Sequence, residues 1–358
     1  MVASTTLLAP MLSLIPLPIP SDQSVMFTHL SASGYAQGNE IYPLIMGKQG
    51  GYVSSDHAYT LNQGEVGVQY GDFSVSLFSR YEWYLKFNPD TMSIYAGSLE
   101  GTDLDLGREY QIMLDAEHLY SHGLRLGWSH DWSPRFTTYL SVSYLQAQDM
   151  LSGTLQGDAQ RDVFGQYQGL LNLNYVYTDD VLFNRTTNAP KSDFGYSSDI
   201  GFNWQPSDHV FISAWVQDAF NAIRWNDLPR TQAYANSAIS ITDDQGNVSI
   251  RPIVFGVSDS ENYTQHLPTK YYARTAFLYG NGALGVKGLY VDGLWLTDIE
   301  WFAHWTPQFS TQVSVNTQSH ALGLKANWHG FYLGLRSDDL DYQAATHLEL
   351  NTGFSIAL

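Results

Sequence analysis

Cysteine is absent from the 358 residues. That excludes disulfides, thiolate metal sites and a catalytic thiol, and it is compatible with passage through an oxidising compartment. Charge is scarce. Lys, Arg, Asp and Glu together make up 15%, against about 25% in a typical soluble protein. Bases are scarcer still, with 17 Lys+Arg against 35 Asp+Glu and a net charge of −18. No stretch is a basic patch, so a nucleic acid is not an expected partner. No run of about 18 consecutive apolar residues exists, which excludes a transmembrane helix. The longest apolar stretch, residues 5–19, carries Pro10, Pro16 and Pro18, and proline breaks a helix interior. It suits the apolar region of an export signal, but no Lys or Arg precedes Lys48 to supply the positive flank. Gly34-Tyr35-Ala36 has the small-x-small form of a cleavage site and lies far from that stretch.

What remains is abundant in aromatics (24 Tyr, 10 Trp) and small polar residues, with a mean hydropathy of −0.21. This mixture suits strands with one apolar and one weakly charged polar face. Period-two alternation runs through most of the chain after residue 60. Phe136, Thr138, Leu140, Val142 and Tyr144 share one face, and Thr137, Tyr139, Ser141 and Ser143 the other. The segments 194–204 and 308–315 alternate in the same way. Turn chemistry separates them at Gly71-Asp72, Ser133-Pro134, Pro206-Ser207-Asp208, Gly280-Asn281-Gly282, Thr306-Pro307 and His329-Gly330. Longer polar connections fall near 88–107, 149–163, 179–193, 223–266 and 338–345. Aromatics cluster where strands meet turns, as at Trp83-Tyr84, Trp128, Trp132, Trp204, Trp301, Trp305 and Trp328. Short turns at one end, long loops at the other and aromatic girdles between are the pattern of a closed antiparallel transmembrane β-barrel, with roughly 14–16 strands. The alternatives are a soluble sandwich, which would need two domains and a linker, and a propeller, which would show a repeat of about 40–50 residues. Neither feature is present. Counting strands forward from Gly71-Asp72 and back from the C-terminus gives opposite phases near 108–132, so one element between 73 and 125 is miscounted. On this basis residues 59–358 form the barrel. Residues 1–58 form an export signal, a periplasmic segment or a plug.

The chain ends LELNTGFSIAL. Leu348, Leu350, Thr352, Phe354, Ile356 and Leu358 share a face. Asn351-x-Gly353-x-x-Ile356-x-Leu358 resembles the terminal β-signal of Gram-negative outer-membrane β-barrel proteins over eight residues. The last residue departs from the usual Phe. The resemblance implies an outer-membrane location, contact with outer-membrane lipid and lipopolysaccharide, and recognition of the last strand by the barrel assembly machinery.

If the apolar face meets lipid, the other lines a lumen. Its acids are then Glu65, Asp115, Glu117, Asp199, Asp298, Glu300 and Glu349, and its bases Arg125, Lys270, Arg274, Lys287, Lys325 and Arg336. Seven acids and six bases nearly balance, which favours pairing across strands over a strongly cation-selective pore. The excess negative charge falls in the loops, at Asp103/Asp105, Asp179/Asp180, Asp243/Asp244 and Asp338/Asp339/Asp341. Those clusters are either solvated loop charges or oxygen ligands for divalent cations at the lipopolysaccharide surface. Asp243–Asn247 is expected to turn a hairpin between 238–242 and 248–254. The insertion 223–266 is too long for a connector. With Ile253, Val254, Phe255 and Val257 as an apolar patch, it is expected to cover the mouth, enter the lumen or dock an envelope partner.

None of the eleven histidines sits in a catalytic or metal motif. Ser129-His130 and Ser319-His320 are adjacent in sequence, and adjacent strand residues point to opposite faces. No cofactor, metal site or enzymatic activity is expected. The chain is expected to be a channel or transporter for a solute, or else a non-conducting envelope or surface protein, such as part of a secretion assembly.

Overall fold

The computed structural model describes residues 12–14, 21–48, 52–53, 55–187, 191–236, 240–242, 248–250 and 253–358. Its strands close into an antiparallel barrel of fourteen. The ring starts with β1 (Ser21–Ala36), β2 (His57–Gly71), β3 (Phe73–Phe87), β4 (Glu109–Ser133) and β5 (Phe136–Arg161). From β5 it passes over β6 (Tyr167–Tyr177) to β7 (Phe194–Ser207) and β8 (Val210–Asn236). The hairpin β9 (Ser240–Thr242)–β10 (Val248–Ile250) follows β8, and β11 (Ile253–Gln265) pairs with the upper part of β8. The ring resumes with β12 (Lys270–Tyr279), β13 (Gly282–Val291), β14 (Leu294–Thr306), β15 (Phe309–Asn316), β16 (Leu322–Trp328), β17 (Phe331–Ser337) and β18 (His347–Ala357). Strand β18 pairs with β1 from Val25↔Ala357 to Tyr35↔His347 and closes the ring. Closure satisfies the backbone hydrogen bonds of both terminal strands, as a wall in lipid requires.

Four expectations change. The barrel begins at residue 21, inside the segment set apart as 1–58, because β1 is the strand that completes the ring. Gly34-Tyr35-Ala36 is the upper end of that strand. The polar connection 88–107, inside the stretch where the strand count fails, contains α2 (Pro89–Glu100). Asn88 caps this helix by accepting from the Thr91 N–H at 2.9 Å, Pro89 opens it, and Gly101 ends it at φ +69°. Residues 149–161 continue β5, and most of 223–266 is strand. The expected hairpin pairs 240–242 with 248–250. Asp243 and Asp244 lie outside the described residues.

The six short turns expected from the sequence lie at one end, here called the lower end, and the two-residue β13–β14 turn lies at the other. On the outer wall, aromatics ring that end (Tyr70, Phe73, Trp132, Trp204, Trp305, Trp328) and the upper level (Tyr81, Tyr144, Phe194, Tyr196, Tyr271, Trp295). Aliphatic side chains between them, such as Val75, Leu77, Val142, Val286, Ile299 and Leu324, are exposed. On β3, Phe73 and Trp83 are ten residues apart. At about 3.3 Å per residue and a tilt of roughly 40°, that spans roughly 25 Å, the height of a hydrocarbon belt.

Above the belt, the loops fold back onto the outside of the wall. The helices α1 (Ile41–Met46) and α2 pack Ile41, Leu44, Met92 and Tyr95 against Ala36, Ala58, Leu85, Phe87 and Leu114. Strands β6 and β7 are two pieces of one descending strand, both paired to β5. Residues 178–187 and 191–193 lie in an excursion between them.

Candidate functional site

The inner faces of the strands enclose a cavity of about 860 Å³. Its lining runs from Tyr59 and Tyr84 at the upper rim to Pro307 and His329 at the lower turns. Three apolar clusters narrow it. At the rim, Tyr35, Tyr59 and Tyr84 stand in one row across β1, β2 and β3. They pack against Val291, Leu294 and Leu296, because the β13–β14 turn bends in over the mouth. The Tyr84 hydroxyl donates to the carbonyl of Val291 at 3.0 Å, across the opening. On one side, Leu119, Leu145, Met150, Ile223, Trp225 and Leu228 form a dry core within the barrel. The lower part of β11 joins it: Gln265 reaches the His118 carbonyl at 2.9 Å, and Tyr263 lies 2.7 Å from the Ser152 hydroxyl. At the lower end, Leu12 is buried among Phe211, Ala276, Leu278 and Phe302. Arg274 donates to the Leu12 carbonyl, and the Leu14 N–H to the Ser213 hydroxyl.

The expected lumen charges lie on the inner face and gather into networks. Arg125 donates to Glu65 at 2.7 Å and lies 3.5 Å from Asp199. Arg274 and Glu300 meet at 2.7 and 3.0 Å, and Gln312 donates to the same carboxylate. Asp298 takes Lys287 at 2.9 Å and Arg336 at 2.8 Å, and Arg336 also reaches Glu349 at 3.1 Å. Lys270 lies between Glu82 and Asp218, 3.1 and 3.2 Å away. Glu117 accepts from Ser152. Asp115 shares the face of Glu117, opposite Lys86, near the top of the wall. Lys325 rests over the ring of Tyr332, 4.6 Å from its centre.

Three central residues are absent from the sequence-based set. Arg80 and Glu82, 2.8 Å apart, sit on the inner face of β3. The alternation Arg80-Tyr81-Glu82-Trp83 carries their signal. Asp218 is different. Ser213 and Gln217 already point inward, so plain alternation sends Asp218 to lipid. Its backbone takes φ +58°, the register with β7 shifts there, and the bulge turns its carboxylate inward. There it accepts from Arg80 and from Ser197, at 2.9 and 2.6 Å. Its own N–H donates to Asp199 at 3.0 Å and joins two networks.

The terminal motif sits at the seam. Gly353 lies between His29 of β1 and Tyr332 of β17. A Cβ there would stand 2.2 Å from the Thr28 carbonyl oxygen and 2.7 Å from the Tyr332 hydroxyl. Ile356 and Leu358 are exposed on the outer face.

Ser319 meets His347 rather than its neighbour His320, with Oγ 2.8 Å from Nδ1, and His347 Nε2 lies 3.2 Å from Glu349. This chain braces a turn. The same hydroxyl engages Asn316 and the Ala321 N–H, the imidazole is buried against Tyr35, and Glu349 is held by Arg336. The acidic loops are engaged locally. Asp103 pairs with Arg161, Asp180 with Arg185, and Asp338 accepts the N–H groups of Thr346 and His347. In the upper arm, Phe255 lies against Tyr234, and Phe255 and Val257 remain exposed.

No family model matches the chain, and no curated protein matches it. Among solved structures it is similar to a TodX deltaS2S3 mutant monoaromatic hydrocarbon channel, with 10% identity over 94% of this chain and 90% of that one, at a TM-score of 0.44. It is similar to the toluene transporter TbuX of Ralstonia pickettii, with 9% identity over 94% and 89%, also at 0.44. A FadL homologue of Pseudomonas aeruginosa gives 10% over 93% and 88%, at 0.41. Likenesses this distant carry no argument about a solute.

Proposed function

We propose that this chain is an outer-membrane barrel of a Gram-negative bacterium, and that its lumen passes a small solute. The observation that carries this is the cavity, whose lining runs the height of the wall inside an apolar belt. The path is narrowed by the β13–β14 turn above and by Leu12–Leu14 below. The lumen residues act in this reading as a nearly neutral lining, which sets selectivity through local sites rather than through net charge.

Residues 12–14 serve as the lower plug. Asn351, Gly353, Ile356 and Leu358 serve as the signal read by the assembly machinery. The support is that the strand carrying them closes the ring, so it must be held until β1 arrives.

A second reading, a non-conducting envelope protein that uses the β8–β11 arm for docking, is favoured by the dry core inside the barrel. Planar-bilayer recording of the full chain separates the two. Conductance steps above the empty bilayer are expected, and a silent bilayer with verified insertion selects the second reading.

A further inference from the structure

Lys325 is the exception among the lumen bases. Arg80, Arg125, Lys270, Arg274, Lys287 and Arg336 each have a carboxylate at 3.1 Å or closer. Lys325 has none within 4.0 Å among the described residues. The charged groups that act on it are Arg274, Lys287 and Glu300. Glu300 is already held by Arg274, and Lys287 is paired with Asp298. These neighbours are engaged with other groups, and none of them pairs with Lys325.

The surroundings are those of a site rather than a packing accident. The ammonium faces the cavity and stands over the Tyr332 ring. Gly334 is its partner on β17 and Gln312 on β15, and the Lys325 stem lies over the glycine, its Cβ and Cγ 3.4 Å from where a Gly334 Cβ would stand. His29 and Asn327 line the same part of the cavity, and His29 is bound to the Tyr332 hydroxyl. A half-buried ammonium at the wall of a confined cavity, with no counter-charge, is only partly compensated by water. An oxyanion would supply that charge together with acceptors for the lysine N–H groups.

We infer that Lys325, with Tyr332 and His29 beside it, forms a binding site for a small oxyanion, a carboxylate or a phosphate, in the lower half of the lumen. The inference rests on the lumen being the solute path and adds the charge of the group recognised there. It is also distinct from a general anion preference. The other bases that line this cavity, Lys270, Arg274, Lys287 and Arg336, are occupied by carboxylates, so a single site is expected.

Isothermal titration of the full chain in detergent, at low chloride, tests it with two probes, inorganic phosphate and sodium benzoate. At least one probe is expected to bind at one equivalent. Lys325→Met is expected to weaken it about tenfold or more, as for loss of one charge-assisted hydrogen bond, and Lys325→Arg to retain it. Binding of benzoate alone assigns the site to carboxylates, and binding of phosphate alone assigns it to phosphates. Heat-modifiable mobility of both variants verifies folding. If neither probe binds, or if Lys325→Met binds as the wild type does, the site is overturned. Bilayer conductance of the wild type is a separate readout, so loss of the site leaves the solute path standing or falling on its own.

Discussion

At the scale of single residues, the face a side chain occupies decides its chemistry. Ile299 and Glu300 are neighbours on β14, one exposed on the belt and one fully buried inside. Ile299 lies midway between the aromatic levels marked by Trp295 and Trp305. Ile299→Arg is therefore expected to cost about 2–4 kcal/mol, as for a charge near the bilayer midplane. Glu300→Leu and Asp298→Leu are expected to insert, with altered stability or conductance, because each deprives a buried base of a carboxylate. Urea unfolding in liposomes measures both effects. A silent Ile299→Arg beside a non-inserting Asp298→Leu would invert the faces. Asp180, in the excursion above the belt, behaves differently. Burial pushes its carboxyl up, but the Tyr175 hydroxyl, the Phe183 N–H and Arg185 pull it below the usual range. A depressed carboxylate stabilises fully above its ordinary value of about 3.9 and loses that contribution as pH falls through the lower folded value. The excursion is expected to gain hydrogen exchange as pH drops below about 4, and Asp180→Asn to show the same exchange at neutral pH. Equal protection of 178–193 in the variant and the wild type would remove Asp180 from that role.

At the scale of elements, two contribute more than wall. Strand β18 must pair with β17 on one side and β1 on the other. Deleting Phe354–Leu358 leaves that strand short on its lower half. It is expected to remove the protein from the outer-membrane fraction without lowering its export, whereas Leu358→Phe preserves or improves assembly. Normal insertion of the truncated chain would reduce these residues to an ordinary tail. The β13–β14 turn is the second element. It is held over the mouth by apolar contact and by one hydroxyl from Tyr84. Tyr84→Phe keeps the contact and deletes the hydrogen bond, worth about 1 kcal/mol. That is about a fivefold change in an open–closed equilibrium. Single-channel open probability should rise by about that factor, and an unchanged value would place the closure elsewhere.

At the scale of the whole molecule, the belt and the closed ring make detergent a requirement. The protein should show heat-modifiable mobility on a gel, and a monodisperse detergent-free monomer would contradict the barrel. Alternation, turn residues and aromatic positions determined the wall, its inner face and the position of the turns. Each depends only on the period of two and on local backbone preference. The side of the wall on which the thirteen charges stand was legible for the same reason, and so was the terminal strand. The α2 caps, Asn88-Pro89 and Gly101, were also present in the sequence, though a polar stretch reads as a loop when counted by alternation alone. Only the tertiary structure decided the rest. Residues 21–36 became a wall strand because the ring needs a partner for β18. Asp218 reached the lumen because a bulge reversed the phase of β8 in mid-strand. The pairing of the charges, and the absence of a carboxylate beside Lys325 among the described residues, depend on which strands face one another across the lumen. Alternation places a side chain on a face, but it contains no information about what stands opposite.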